Sequence, residues 1–399
     1  MTYSRRYAAR LAPCFSALAW FGAASALGAA AACGGSDAAT GPAVVADGGG
    51  LLDQVSADSP PPPPSCKAPK TTCGSACVDT TTDPKNCGAC ATACQGPELC
   101  IASKCVYIPG FAARTVYLGE TDRAGVPTAQ AWKNYGRNID GITTVVGTNN
   151  GECKLAAGAP AANATDGIDG IDNSWGRNVL GFLLGLMPTP TKTANAVLEA
   201  GGRTPLLVFE AAPKATGVAP FALVTAESTI APKWDGSDSR PIAEASTTSG
   251  KPKSTFASGM TTAGVLTSGD ASAPFILSIS FGNGAALDLP VRLARVSMTL
   301  APDGKTATNG TLSGLIDTEE MVASFEKIAG MVSTQLCGGS TLDTIKQTIR
   351  QASDILVDGT QDPTKSCNAI SIGIGFDAVS VAVGPVAGPV APPKDPCKP

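Results

Sequence analysis

VRLARVSMTLAPDGKTATNGTLSGLI, residues 291–316, decides the fold. Val291 to Leu300 and Thr306 to Ile316 are two runs rich in apolar and β-branched residues, with Asp303-Gly304 between them. Asp-Gly supplies the positive φ of a tight turn, so the segment reads as an antiparallel hairpin. Outward from it the period-two signal recurs. Phe275, Leu277, Ile279 and Phe281 alternate with Ile276, Ser278 and Ser280, and Ile370, Ile372, Ile374 and Phe376 alternate with Ser371, Gly373 and Gly375. Each pattern predicts a strand with one face on a core. Further strands are expected over residues 206–210, 222–226 and 379–383.

Helices interrupt the strands. Asp317 with Glu320 has the spacing of a capping box, followed at helical intervals by Met321, Phe325, Ile328, Val332 and Leu336. Ser340 with Asp343 opens a second helix, with Leu342, Ile345, Ile349, Ala352 and Leu356 in one stripe. Asp172-Asn173-Ser174 starts a third, carrying Leu180, Leu183, Leu184 and Met187. The pattern predicts a mainly β domain with helical insertions, β-sandwich-like, over residues 107–399. Regular strand–helix alternation of a Rossmann sheet or TIM barrel is not seen.

Composition narrows the chemistry. The chain has 399 residues and no histidine, which excludes Ser-His-Asp and Cys-His catalysis, His-ligated zinc and a histidine pH switch. The 45 Gly and 31 Pro, with only 5% aromatics, describe a small-residue, loop-rich chain. Residues 1–32 read as an export signal: Arg5, Arg6 and Arg10 precede an apolar run from Leu11 to Leu27, and Ala29 to Ala32 offer a small-residue cleavage site. Cys33 follows at once and leads into a Gly-rich linker, residues 33–64, that ends in Pro60 to Pro64. The arrangement resembles a bacterial lipoprotein signal with Cys33 as the lipidated residue. Losing residues 1–32 takes the net charge from −4 to −7, which argues against nucleic acid as a partner. The membrane would be met through the lipid alone.

Residues 65–106 form a separate unit with eight cysteines: Cys66, Cys73, Cys77, Cys87, Cys90, Cys94, Cys100 and Cys105. So short a segment buries little, and disulfides supply its stability in an oxidising compartment. Spacing alone does not choose the pairing, and Cys87-Gly88-Ala89-Cys90 also has the form of a redox or metal CxxC. Cys73-Gly74-Ser75-Ala76-Cys77-Val78-Asp79-Thr80, then Asp83-Pro84-Lys85-Asn86-Cys87-Gly88-Ala89-Cys90, Cys94, Cys100 and Cys105, resembles the stigma-specific Stig1-like cysteine-rich module. The resemblance implies an extracellular disulfide-bonded interaction module of a myxobacterial-type lipoprotein, without catalysis. In the large domain, Trp132-Lys133-Asn134-Tyr135-Gly136, Asn138-Ile139-Asp140-Gly141, Asp169-Gly170-Ile171-Asp172-Asn173, Gly176 and Ile370 to Phe376 resemble an uncharacterised family attached to such lipoproteins. That resemblance brings no activity.

Four cysteines remain, and an even count in an exported domain predicts two bonds. Cys337–Cys367 would close the two-helix segment, and Cys153–Cys397 would tie the domain's end to its start. Asp166, Asp169 and Asp172, three apart with Gly between, and Asn173 are candidate Ca²⁺ ligands, because that ion takes six to eight oxygens from flexible loops; a turn and helix cap would use the same residue types. Ser324 and Lys327, with Ser366-Cys367-Asn368 and Lys305-Thr306-Ala307, echo a Ser–Lys enzyme in the wrong order. Asp303-Gly304-Lys305-Thr306 lacks the first glycine of a P-loop. Glu210, Glu227 and Asp288 are carboxylates near strands, as a glycoside hydrolase requires. Trp132, Tyr135, Trp175 and Trp234 are the rings available to stack on sugars or fill the core. The expectation is a non-enzymatic cell-envelope lipoprotein, at the outer membrane or cell surface, that binds envelope proteins or glycans. A calcium-dependent carbohydrate-binding β-sandwich and a carboxylate-based glycoside hydrolase are the alternatives.

Overall fold

The computed structural model describes residues 66–95, 98–147, 150–280, 286–388 and 394–397. The export signal, Cys33, the linker and Phe281 lie outside them. By its own contacts the chain divides between Pro61 and Pro62, and all that follows concerns the second part.

The cysteine-rich unit holds two minimal hairpins, Thr71–Cys73 with Ala76–Val78 and Leu99–Ile101 with Lys104–Val106. Its pairing is Cys66–Cys77, Cys73–Cys90, Cys87–Cys100 and Cys94–Cys105. Cys87 and Cys100 are its buried hydrophobic residues, so crosslinks replace an apolar core. The polar residues between the cysteines build turns. Asp79 Oδ1 accepts from the N–H and hydroxyl of Thr81, and Asp83 Oδ1 accepts from Lys85 N; these bonds hold both carboxyls below the usual aspartate range.

The large domain is mainly β with helical insertions. Twelve strands join in one sheet: β1 Pro109–Tyr117, β2 Thr204–Phe209, β3 Gly217–Val218, β4 Phe221–Ala226, β5 Ser239–Ile242, β6 Ser254–Phe256, β7 Met260–Thr262, β8 Val265–Thr267, β9 Phe275–Ser280, β10 Ala286–Leu300, β11 Thr306–Asp317 and β12 Ala369–Val386. Their order is β6-β4-β2-β1-β12-β11-β10-β8-β7-β3, with β9 also on β10 and β5 bridging β12 and β4. The hairpin read from residues 291–316 is β10–β11, turning at Gly304 with φ +69° and with Lys305 N donating to Asp303 Oδ1 at 3.0 Å.

The sandwich-like packing of the mainly β domain arises within one coiled sheet. β10 is long enough to pair with β9 through its first half (Phe275↔Val291) and with β8 through its second (Val265↔Thr299). Bulges at Leu293 and Asn309, both at positive φ, sharpen the twist of the hairpin. The sheet therefore curls until β9 faces β4, where Thr225 Oγ1 donates to the carbonyl of Ile276 at 3.2 Å. The enclosed core includes Phe209, Leu223, Leu277, Val296, Leu312 and Ile374.

Among the described residues four α-helices complete the domain: α1 Leu180–Leu186, α2 Pro190–Glu199, α3 Thr318–Val332 and α4 Ser340–Gln351. The third helix read from the sequence starts after Ser174 as expected, but its first turn, Trp175–Val179, is wide (π-type) before α1 tightens. Asp317 caps α3 by accepting from Glu319 N at 2.9 Å and Glu320 N at 3.1 Å. Asp317→Ala should cost about 1 kcal/mol in urea denaturation, because it orphans two N–H groups at once.

Both disulfides of the large domain differ from the expected pairing. They are Cys153–Cys367 and Cys337–Cys397. Lys154 pairs with the segment before β12 (Lys154 N to Lys365 O 2.8 Å, Cys367 N to Lys154 O 2.9 Å), which sets Cys153 beside Cys367. Cys337, beyond α3, meets the C-terminal Cys397 over Gly330, where a Cβ would collide with the Cys397 sulfur.

Candidate functional site

The residues that gather here lie on the long connection from β1 to α1, residues 118–174. Among its described residues this stretch has no strand of its own, and it is held down on β12 by side chains. Asn173 is the hub: its Nδ2 lies 3.0–3.1 Å from the carbonyls of Trp132, Tyr135 and Gly373, and its Oδ1 accepts from Gly176 N and Gly373 N. Gly373 and Gly375 permit the approach, because a Cβ on either would strike Tyr135. Arg123 fixes the start of the connection. Its guanidinium lies 5.4 Å from the stacked rings of Tyr117 and Tyr135, donates to Gly310 O and Phe376 O, and pairs with Asp377.

The four residues expected to hold calcium do not converge on one point. Asp169 sits at φ +56° with its side chain exposed, and Asn173 is spent on backbone groups. Asp166 and Asp172 are brought together and share a hydrogen bond. Asp166 Oδ2 accepts from Thr144 N and Asp172 Oδ2 from Ile139 N, each at 2.6 Å. Burial, reinforced by the charge of nearby Asp140, pushes both carboxyls above the usual range, so the pair holds protons to higher pH than free aspartates do. Asp354 lies close by, fully buried beneath Ser371 N and Oγ, and burial raises it to about 7. The cluster is a set of buried acids that a proton or a cation would have to neutralise.

On the other side of Trp132 lies a groove of about 680 Å³ between the 119–132 stretch and α1 with the start of α2. Leu180, Leu184 and Pro188 supply its apolar lining, and Gly181 leaves it open, with nothing within 4 Å of where its Cβ would stand. Arg177 lies 5.1 Å from the Trp132 ring and Lys192 is exposed at the rim. Among the described residues neither forms an ion pair. Glu120 is also in the wall, but both its oxygens accept from Thr191, at 2.7 and 2.8 Å, which caps α2. Thr121 Oγ1, in the same wall, is buried without a partner.

The remaining candidates are placed as follows. Trp132, Tyr135, Trp175 and Trp234 are all buried and fill the core, with Trp132 also forming part of the groove wall. Glu227 and Asp288 both pair with Arg203, at 2.9 and 3.6 Å, while Glu210 is exposed away from them. Ser324 and Lys327 lie on α3, and Lys305 on the exposed hairpin turn. Cys87, Cys94 and Cys105 cluster within metal-ligand distance, but each is already oxidised in a disulfide. The groove was not anticipated. Its faint signals were Gly181 and Gly185 on one face of an otherwise apolar helix, and a lysine in the first turn of α2, where the helix dipole disfavours a cation.

Residues 63–108 match the model of the stigma-specific STIG1-like protein family. No curated protein and no solved structure matches the chain.

Proposed function

We propose that this chain is an exported lipoprotein of the cell envelope, lipidated on Cys33 and extended from the membrane by its Pro-rich linker. In this reading the cysteine-rich module and the β-rich domain bind or scaffold, and catalyse nothing. The observation that carries it is covalent: all twelve cysteines of the described residues are joined in six disulfides. Bonds in that number persist in oxidising compartments, and the small module relies on them for want of a core. The family match over residues 63–108 supports an interaction role for that module. No helix among the described residues is long and apolar enough to cross a membrane, so the proposed attachment is the lipid. The buried rings give no support to the carbohydrate alternative, and the ion pairing of Glu227 and Asp288 with one arginine gives none to the hydrolase.

Expression of the full chain and its Cys33→Ser variant in a Gram-negative host with radiolabelled palmitate tests the anchor. The parent chain should take up label and sediment with membranes, and the variant should do neither. Label retained by the variant would remove Cys33 from the proposal.

A further inference from the structure

We infer that the groove beside Trp132 is a binding site for a small organic anion with an apolar body, an inference that rests on the binding role proposed above. Its volume of about 680 Å³ falls within the range of small-molecule sites. Leu180, Leu184 and Pro188 give an apolar bed for the body of a ligand, and Gly181 leaves that bed uncovered. Charge selects the sign. The protein carries more acids than bases, 33 against 29, and most of its arginines are engaged by carboxylates, yet Lys192 and Arg177 meet at this groove without one. Glu120, the acid in the groove's lining, is held by the first turn of α2 and leaves that lining one positive charge in excess, while the Arg177 guanidinium also donates to Thr165 O and feels the charge of Asp166. A carboxylate on an alkyl body satisfies both features: the chain lies on the leucines and the anion meets Lys192 and Arg177.

Isothermal titration calorimetry on the disulfide-bonded full chain carrying Cys33→Ser, which needs no detergent if the lipid sits there, tests this with octanoate, octanol and octylammonium. Octanoate should bind, and the neutral and cationic analogues should bind at least several-fold more weakly. Lys192→Ala should weaken octanoate about fivefold, as expected for a partly exposed ion pair. Gly181→Phe should abolish binding by filling the groove, while Gly181→Ala, which adds one methyl on open space, should retain it. Melting curves of each variant confirm the fold. Absence of octanoate binding, octanol binding as tightly as octanoate, or binding that survives Gly181→Phe would overturn the assignment. Palmitate labelling at Cys33 is scored separately, so a groove that fails leaves the envelope proposal standing, and the reverse holds.

Discussion

Replacing Cys153 and Cys367 together by alanine is expected to cost the β-rich domain about 5 kcal/mol. The two residues are 214 apart in sequence, so the bond closes a loop containing each of the strands β2 to β11. Opening it releases that constraint on the unfolded chain, and the cost grows slowly with loop length. Both sulfurs are buried, so truncation also leaves a void beside Leu356. The Cys337–Cys397 bond spans only 60 residues and should cost about 4 kcal/mol when removed. Urea denaturation under non-reducing conditions reads both. Peptide mapping of the parent chain should recover Cys153–Cys367 and Cys337–Cys397. Recovery of a Cys337–Cys367 peptide, or a Cys153/Cys367 double variant as stable as the parent, would refute the pairing.

The second large effect is a loss of stability as pH rises. Unfolded, Asp166, Asp172 and Asp354 ionise near the ordinary aspartate value of 3.8. Folded, burial makes each hold its proton to higher pH, Asp354 to about 7. Between those limits the folded state binds more protons than the unfolded one, so stability falls with rising pH. Their contribution is whole below about pH 4 and is lost once pH passes the folded values, a change on the order of a few kcal/mol. The domain should therefore melt higher at pH 5 than at pH 9. Asp172→Asn keeps a donor toward Asp166 without a titrating proton and should flatten the profile. Running the series with calcium and with EDTA separates two ways of neutralising the pair. A profile identical in both buffers assigns the work to the proton alone. A calcium-dependent rise at high pH that Asp172→Asn abolishes, and Asp169→Ala does not, assigns a cation to the Asp166–Asp172 pair. A melting temperature that climbs from pH 5 to pH 9 in EDTA would contradict the burial argument.

Elements whose signal is local were legible in the sequence. The β10–β11 hairpin turns where Asp303-Gly304 demands it, and α3 starts where Asp317 can cap it, since turn chemistry and capping depend on a few neighbouring residues. The strands at residues 370–376 and 379–383 proved to be one, β12, because Asp377 and Ala378 continue the ladder through a shift in register against β1. Its alternation placed Ile370, Ile372, Ile374 and Phe376 on the core and left the face of Ser371, Gly373 and Gly375 unassigned. Those three are the floor for the 118–174 connection, and glycine there marks the close approach of Tyr135.

The sequence by itself determined the cysteine-rich module, the mainly β class and the starts of three of the four helices, α2 having gone unread, because cysteine spacing, side-chain alternation and caps act over short separations. Only the tertiary structure decided the two long disulfides, the facing of Asp166 toward Asp172, and the groove. The disulfides and the groove depend on where segments dozens to hundreds of residues apart come to rest, and Asp166 and Asp172, only six apart, are turned inward by the backbone of Thr144 and Ile139. That placement is set by how far the single sheet coils and by what packs on its second face, and no local pattern records either.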